Sequence, residues 1–334
     1  MRSSIVFLLF LFTFSIVAAQ DSKFAVVFYN AENFFDWKND PKTKDDEFTP
    51  DGERHWTFNR FTKRANATAK ALIGAVGWDT PALIGLCEVE NRFVLEYLLK
   101  NTALNKFPYK IIHKDSPDAR GIDVSLLYNP EVFFPLNYTY FPLRNEDGSV
   151  RETREVLHVS GILAGSDTLH VFVNHWPSRY SGMLETRPLR IAAARLVRQK
   201  ADSLLLRNPD AKLVIMGDFN DQPNNESIAM HLKGSDENGG LLNLSESWMS
   251  ADSGTLKYQS QWYVFDQILV SRGLMEADSG MYSQPSWASI ARLGFLLEAD
   301  ERYGGLKPFR TYVGFRYNGG FGDHLPVKLQ LDIH

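Results

Sequence analysis

Short apolar runs recur along the chain and alternate with longer amphipathic stretches. Runs of this length, bounded by turn residues, are typical of buried strands. Residues 128–141 and 155–174 have the pattern of meandering hairpins, so we do not expect a purely parallel sheet. The pattern predicts strands at residues 24–29, 82–87, 122–128, 156–163, 169–174, 213–216, 265–270 and 327–331.

Helical periodicity separates several of these strands, at residues 60–76, 93–99, 189–206 and 227–232. The third helix has the clearest pattern, with Thr186 as its expected cap and Pro188 in its first turn. Interleaved strands and helices indicate a mixed α/β layered fold. One face of the third helix should pack on a sheet, and its residues are Ile191, Ala194, Val197, Ala201 and Leu204.

The first residues, "MRSSIVFLLFLFTFSIVAAQ", place one arginine before a short apolar run that ends in small side chains. This layout is typical of a cleavable secretory signal. The run is shorter than the ~20 residues needed to span a bilayer, so a membrane anchor is the weaker interpretation. We therefore expect a signal peptide at residues 1–19, a secreted or periplasmic protein, and one domain over residues 20–334.

The chain carries a formal net charge of -4 and a single cysteine, Cys87. A chain without a global positive field binds nucleic acid only through local contacts. One cysteine excludes an internal disulfide and a structural zinc knot, so we expect Cys87 to be a small buried apolar residue.

Two long stretches, residues 36–56 and 271–317, resemble insertions more than core. In the first, Asp45, Asp46 and Glu47 are interpreted as part of a solvated loop. A Ca²⁺ site is the alternative there, although the spacing matches no EF-hand.

Polar side chains stand at one end of nearly every predicted strand, after most of them and before or at the start of the last two. An Asp or Asn in such a place usually makes a turn, and a single His is usually structural. Together, however, they stand where α/β sheets gather their active sites. The residues are Asn30, Glu32, Glu88, Asn174, His175, Asp218, Asn220, Asp221, Asp266, Asp323 and His324.

In this order the set resembles the endonuclease/exonuclease/phosphatase superfamily. The resemblance extends from Asn30 to His324, and "GDFN" with the late "DH" is its most specific part. It implies an α/β (α+β) four-layer sandwich, in which two mostly antiparallel sheets pack face to face with helices on the outer faces. It also implies a metal-dependent phosphoester hydrolase.

The resemblance implies that Glu88 is the principal metal ligand, with Asn30 beside it, directly or through water. Glu32 and Asp323 complete the metal surroundings in some members. Glu90 competes with Glu88 but comes later than the family pattern allows. Oxygen ligands suit Mg²⁺, with Mn²⁺ or Ca²⁺ as alternatives.

Asp218 and Asn220 are two positions apart, so on an extended strand end they face the same way while Phe219 turns into the core. Asp218 then orients or deprotonates the attacking water, and Asn220 donates a hydrogen bond to a phosphoryl oxygen. Asp221 is interpreted as a turn residue.

His324 resembles the general base or transition-state stabiliser of the family, and Asp266 its carboxylate partner. His175 resembles the second histidine, which donates to a non-bridging oxygen or to the leaving group. Its own carboxylate partner is left open between Asp115 and Asp123.

Three further residues are candidates for substrate binding: Arg120, Arg179 and Asn174. Arg187 and Arg190 begin the third predicted helix, where a cation is unfavourable unless an anion is close. Arg195 and Arg198 are interpreted as a solvated helix face.

These features predict a monomeric Mg²⁺-dependent phosphodiesterase, in the first place a nuclease acting on DNA or RNA. A phosphatase or phosphodiesterase for lipid head groups or sugar phosphates, of the sphingomyelinase or inositol-phosphatase kind, is the alternative. It would use Trp287, Leu293, Phe295 and Leu296 as an apolar lip. A non-catalytic binding module is a minor alternative.

Overall fold

The computed structural model describes residues 23–77, 79–180, 182–234, 240–276 and 280–334. The expected signal peptide lies outside these residues. Three α-helices cover Phe58–Val76 (α1), Arg92–Asn101 (α2) and Met183–Leu205 (α3). The strands, in chain order from β1 to β19, are Phe24–Phe34, Pro81–Val89, Lys110–His113, Asp123–Tyr128, Phe133–Phe141, Val156–Leu163, Thr168–His175, Lys212–Asp218, Leu242–Asn243, Leu256–Tyr258, Gln261–Tyr263, Asp266–Val270, Met281–Tyr282, Ala288–Ile290, Leu297–Ala299, Leu306–Pro308, Tyr312–Val313, Arg316–Tyr317 and Val327–Ile333.

The first sheet has the order β13-β19-β1-β2-β4-β3, and β14 also pairs with β19. Only β1 and β2 run parallel in it. Helices α1 and α2 cover its outer face. Each helix begins at a capping side chain, since Thr57 accepts from the Arg60 amide and Asn91 from the Val94 amide.

The second sheet has the order β5-β6-β7-β8-β12-β9, with β7 and β8 as its parallel pair. Its outer face carries α3 and a π-helical turn over Ser227–Leu232. Ala194, Val197 and Ala201 of α3 are fully buried in this layer. The predicted packing face of the third helix is therefore confirmed.

The two sheets meet face to face through a core of fully buried side chains such as Val26, Phe28, Val173 and Met216. Burial of one such side chain stabilises a fold by about 1.5–3 kcal/mol, so this interface makes a large contribution to stability. Cys87 lies in the same core, and burial raises the pKa of its thiol. The predicted sandwich of two mostly antiparallel sheets with outer helices is confirmed.

Helix α3 begins at Met183, earlier than predicted, so the assignment of Thr186 as its cap was wrong. The Thr186 hydroxyl instead donates to the Gly182 carbonyl at 2.6 Å. Pro188 lies inside the helix and removes one amide donor to the carbonyl of Leu184. Leu184 is 70% exposed, so water can serve that carbonyl and the helix continues.

The stretch predicted as a late insertion is partly sheet, because β13 and β14 pair with β19. The predicted apolar lip was wrong. Leu296 is only 1% exposed. Leu293 and Phe295 pack on α1 so closely that a Cβ at Gly74 would meet them at 2.8 and 2.9 Å. The sequence pattern did not reveal that these apolar side chains pack against a helix.

In the early loop, Asp45 was wrongly interpreted as solvated, since it is 1% exposed. Its Oδ2 accepts from the Asp40 amide at 2.9 Å. Glu47 lies 3.0 Å from Arg54.

No helix in the described part of the chain combines the length and apolarity needed to cross a bilayer.

Candidate active site

Sheet topology brings the predicted strand ends to one edge of the sandwich. The parallel pairs place Asn30 opposite Cys87 and His175 opposite Asp218. Strand β12 runs antiparallel to β8, so its first residue, Asp266, also lies opposite Asp218. Strand β19 runs antiparallel to β1, which puts the segment just before it, with His324, at this edge as well.

The backbone at this edge departs from regular strand geometry. The pairing of β1 with β2 shifts register after Asn30, and that of β2 with β4 shifts around Glu88. Bulges of this kind re-aim side chains next to active sites. Positive φ angles at non-glycine residues are uncommon, and four occur here, at Glu32 (39°), Asn33 (52°), Glu88 (57°) and Asn220 (51°).

Glu88 lies at the centre of the cluster, with its side chain 15% exposed. The Asn30 amide nitrogen donates to Glu88 Oε1 at 3.3 Å and to Asp218 Oδ2 at 3.0 Å. The Asn33 amide donates to Glu88 Oε2 at 2.8 Å. His175 Nε2 lies 3.6 Å from Glu88 Oε1 and 3.8 Å from Asp218 Oδ2.

Asp218 is fully buried beside two other acids. Burial, followed by the charges of Asp266 and Glu88, raises its pKa to about 7, although His324 and the Asn220 amide act in the opposite direction. A carboxyl group with this pKa exchanges a proton near neutral pH, as a general base must.

His324 and Asp266 form the predicted dyad, with His324 Nδ1 at 2.6 Å from Asp266 Oδ2. Burial lowers the pKa of His324, but Asp266, Asp218 and Asp323 outweigh it and hold that pKa well above its ordinary value. His324 Nε2 faces Asp218 at 3.8 Å. The imidazole therefore carries a proton and a positive charge at neutral pH.

His175 has the opposite electrostatics. Burial, and then the positive charges of Arg154, Arg120 and His324, hold its pKa well below the ordinary value. Its Nδ1 has no hydrogen-bond partner among the described residues. His175 is thus a neutral imidazole, and the two histidines of the site differ in charge.

The expectation that Asp115 or Asp123 pairs with His175 was wrong. Both acids face His113 instead, Asp123 at 2.9 Å and Asp115 at 3.9 Å. These three residues bring potential ligand atoms within 4.8 Å of one another, in a group that does not include His175. Topology explains the error, since His113 and Asp123 are on the adjacent strands β3 and β4.

Arg310 was not found from the sequence, because it lies in the stretch interpreted as an insertion. Its Nε donates to Glu32 at 3.2 Å and its Nη2 donates to Asp323 at 2.9 Å. Burial would raise the pKa of Asp323, yet Arg310 and His324 lower it overall. Burial, reinforced by Asp323, raises the pKa of Glu32.

Arg154 was also missed, and no motif in the sequence marks it. It is buried, donates to Asp118 at 2.7 Å and to the Trp176 carbonyl at 3.0 Å. Its charge adds to burial in lowering the pKa of the nearby His175. Arg154 therefore acts on the site through the loop that carries His175.

Asn220 lies at the edge, but its positive φ means that the backbone there is not extended. The predicted reason for its shared direction with Asp218 was therefore wrong. Its Nδ2 donates to the Trp176 carbonyl at 3.1 Å. An amide group has two N–H donors, so one remains for a substrate oxygen.

The substrate-binding candidates separate into two kinds. Asn174 is fully buried and bonded to Met216 and Trp176, so it is not accessible to a substrate. Arg179 is bound by the Asn220 carbonyl at 2.7 Å and by Asp221 at 2.6 Å. Arg120 remains at the rim, with 45% of its side chain exposed.

Asp221 is more than a turn residue. Besides Arg179, it pairs with Arg190 of α3 at 2.8 Å and accepts from the Ser227 hydroxyl at 2.6 Å. Arg187 pairs with Glu226. The anions that these helix cations require are thus present, and they fix α3 to the loop after Asp218.

The donor set fits a hard divalent cation. Glu88 is accessible and forms no ion pair with a lysine or arginine within the described ranges. Carboxylate oxygens are the ligands that Mg²⁺ and Ca²⁺ prefer. Asn30 turns its nitrogen toward Glu88, and its oxygen accepts from the Glu32 amide at 2.9 Å. This orientation favours contact between Asn30 and a cation through water.

Fold and site define a class, a metal-dependent hydrolase of phosphoric esters built on a four-layer sandwich. The chain belongs to the endonuclease/exonuclease/phosphatase family, whose model matches residues 25–333. A search of curated proteins finds no match.

Solved structures show the same fold. Humanized D. rerio TDP2 with 14 mutations has a TM-score of 0.57 and 15% identity, over 92% of this chain and 98% of that chain. D. rerio TDP2 complexed with single strand DNA product has a TM-score of 0.54 and 15% identity, over 93% of this chain and 99% of that chain. A family protein from Bacteroides thetaiotaomicron has a TM-score of 0.56 and 17% identity, over 94% and 99%.

Proposed function

We propose that this protein is an exported, Mg²⁺-dependent phosphodiesterase that cleaves nucleic acid. One observation carries the proposal: six side chains from six separate strand ends form one network of contacts centred on Glu88 and Asp218. They supply carboxylates, an amide and two imidazoles of different charge, which is what phosphoester hydrolysis requires. The residues are Asn30, Glu88, His175, Asp218, Asp266 and His324.

In the proposed reaction, Asp218 accepts a proton from the attacking water, because its pKa is about 7. The charged His324, held by Asp266, stabilises negative charge on the phosphoryl group. Neutral His175 and Asn220 donate hydrogen bonds to phosphoryl oxygens or to the leaving group.

Glu88 would hold the metal ion, with Asp323 and Asn30 in its surroundings. A bound divalent cation supplies charge relief on the phosphoryl oxygens and on the leaving alkoxide. Export rests on the pattern of residues 1–19, and Mg²⁺ on the oxygen-only donor set.

Nucleic acid is favoured as the substrate by the similarity to D. rerio TDP2, which was solved with a single strand DNA product. The lipid alternative depended on an apolar lip, in which Leu293 and Phe295 instead pack on α1 and Leu296 is buried. The binding-module alternative requires loss of catalytic groups, whereas each group predicted for chemistry is present at the edge.

Purified protein, freed of metal and resupplied with Mg²⁺, Mn²⁺ or Ca²⁺, should be tested in parallel on plasmid DNA, RNA, bis(p-nitrophenyl) phosphate, p-nitrophenyl phosphate and sphingomyelin. We expect nicking of the plasmid and turnover of the diester, both abolished by chelator. The Asp218→Asn variant, prepared identically, controls for contaminating nuclease. Turnover of the monoester alone, or activity unaffected by chelator, would contradict the proposal.

A further inference from the structure

A small cavity, of about 160 Å³, adjoins the strand-end cluster. Its walls include Glu32, Asn33, Arg54, Arg310 and Thr311, and buried aromatic rings close its base. Pockets for whole ligands usually measure about 300–1,000 Å³. This cavity therefore has room for one polar group of a substrate, not for a nucleoside or a lipid head group.

The cavity shares its walls with the proposed active site. The amide of Asn33 donates to Glu88, and Arg310 donates to Asp323. A group bound in the cavity would consequently be close, within the same substrate molecule, to the phosphate that is cleaved.

The one carboxylate in the cavity lining is already engaged. Glu32 Oε1 accepts from Arg310 Nε at 3.2 Å, and Glu32 Oε2 accepts from the Thr311 amide at 2.9 Å. Both oxygens of the one carboxylate in the lining therefore have a donor from the protein. The carboxylate is therefore held by the protein's own donors, so a cationic ligand would have to displace them to pair with it.

Donor groups, in contrast, are left over. The Thr311 hydroxyl is buried and has no partner in the described part of the structure, and the residue is only 3% exposed. Arg310 uses Nε and Nη2, so Nη1 makes no hydrogen bond or ion pair with any described residue. A buried hydroxyl without a partner is costly unless a ligand or water completes it.

Arg54 adds a second guanidinium in a fixed position. Its Cζ lies 4.9, 5.1 and 5.5 Å from the ring centres of Phe48, Tyr312 and Phe315. Its Nε pairs with Glu47 at 3.0 Å, its Nη1 donates to the Gly314 carbonyl at 3.2 Å, and its Nη2 is unpaired among the described residues. A guanidinium held between rings loses little freedom when it binds an anion.

We propose that this cavity is a subsite for a second phosphate group of the substrate, next to the phosphate that is hydrolysed. Two guanidinium groups and one hydroxyl, all with free donors, match the oxygen acceptors of a phosphate. The inference rests on the proposed function and extends it: the preferred substrates carry at least two phosphates close together, as a nucleic acid strand does.

The test uses two chromogenic esters that differ by one group, the p-nitrophenyl ester of thymidine 5′-phosphate with and without a 3′-phosphate. We expect wild-type protein to have a kcat/KM about tenfold higher for the ester with the 3′-phosphate, mainly through KM. Thr311→Val should reduce this preference about fivefold and leave kcat/KM for the simpler ester unchanged.

Arg54→Lys tests the second guanidinium donor. Arg316→Met, in strand β18, is the control, since Arg316 is exposed and lies outside the cavity. We expect Arg54→Lys to lower the preference and Arg316→Met to retain it. Equal kcat/KM for the two esters in wild-type protein would overturn the subsite while the hydrolase proposal stands.

If neither ester is turned over, binding decides the subsite, while plasmid nicking decides the proposed function separately. In titration calorimetry, wild-type protein should bind thymidine 3′,5′-bisphosphate more tightly than thymidine 5′-phosphate, and Thr311→Val should abolish this difference in affinity. Equal affinities in wild-type protein would refute the subsite. Inorganic phosphate that binds wild-type protein but not Thr311→Val, with no preference between the nucleotides, would assign the cavity to free phosphate and likewise overturn the proposal.

Discussion

Two buried, hydrogen-bonded histidine–aspartate pairs occur among the described residues, and they have different surroundings. His324 lies 2.6 Å from Asp266, and His113 lies 2.9 Å from Asp123. All four side chains are at most 7% exposed. Neither burial nor the hydrogen bond therefore distinguishes a candidate catalytic pair from a structural one.

The surroundings do distinguish them. His324 also faces Asp218 at 3.8 Å and Asp323 at 4.0 Å, and its pKa is raised. The second carboxylate oxygen of Asp123, in contrast, accepts a hydrogen bond from the backbone amide of Ser116 at 2.8 Å. The His113 pair joins two neighbouring strands of one sheet, whereas the His324 pair lies where both sheets end. Position relative to both sheets, not the pair itself, makes a site.

The largest effect should follow from Asp218→Asn. Loss of the proposed base should lower kcat by about 10³-fold, within the range for general-base residues. In wild-type protein, kcat/KM should fall as pH drops below about 7, where Asp218 becomes protonated. Initial rates with bis(p-nitrophenyl) phosphate across pH measure both. A variant within tenfold of wild type would remove Asp218 from the mechanism.

Asp266→Asn should lower kcat by about 10²-fold, because His324 loses the group that keeps it charged. The folded pKa of His324 lies above its unfolded value of about 6.5. The pair therefore stabilises the fold fully below about pH 6.5, and this contribution is lost as pH rises through the folded pKa. Chemical denaturation should show the greatest destabilisation of the variant at low pH; equal destabilisation at all pH values would contradict this.

Glu88→Gln should increase the Mg²⁺ concentration for half-maximal activity by about tenfold or more, since a principal ligand loses its charge. Glu90→Gln is the matched control. Glu90 accepts from the Asp36 amide at 2.5 Å, and burial, with nearby acids, raises its pKa to about 8. Metal titrations of activity separate the two, and an equal shift in both variants would leave the choice of Glu88 without support.

The smallest effect on activity should come from a change in the His113–Asp123 pair. Asp123→Ala leaves His113 and the Ser116 amide without their partner, at a cost of about 1–3 kcal/mol in unfolding free energy. We expect kcat to stay within about twofold of wild type in folded protein. A large loss of kcat without loss of stability would show that this pair, too, serves the chemistry.

Much of the fold could be predicted from the sequence. The eight apolar runs became strands, because continuous Val, Ile, Leu and Phe segments bury on both faces of a sheet. The start of α3 was misplaced, since a proline inside a helix is tolerated when its lost carbonyl partner is solvated. The short strands β13 and β14 gave no apolar run, and only their pairing with β19 defines them.

The candidate site was predictable where one side chain follows one strand, as for Glu88, His175, Asp218 and His324. It was not predictable where a contact joins remote loops. Arg310 reaches Glu32 and Asp323 from a stretch with no periodicity, and Thr311 supplies an amide to Glu32 across most of the chain.

The sequence by itself determined which elements form and which chemistry-bearing residues stand at their ends, because both follow from local apolar pattern and residue type. Only the tertiary structure decided which of those residues share a charge environment. Protonation depends on distance and burial, which arise when the two sheets pack. That packing makes His324 a cation, leaves His175 neutral, and brings the pKa of Asp218 to about 7.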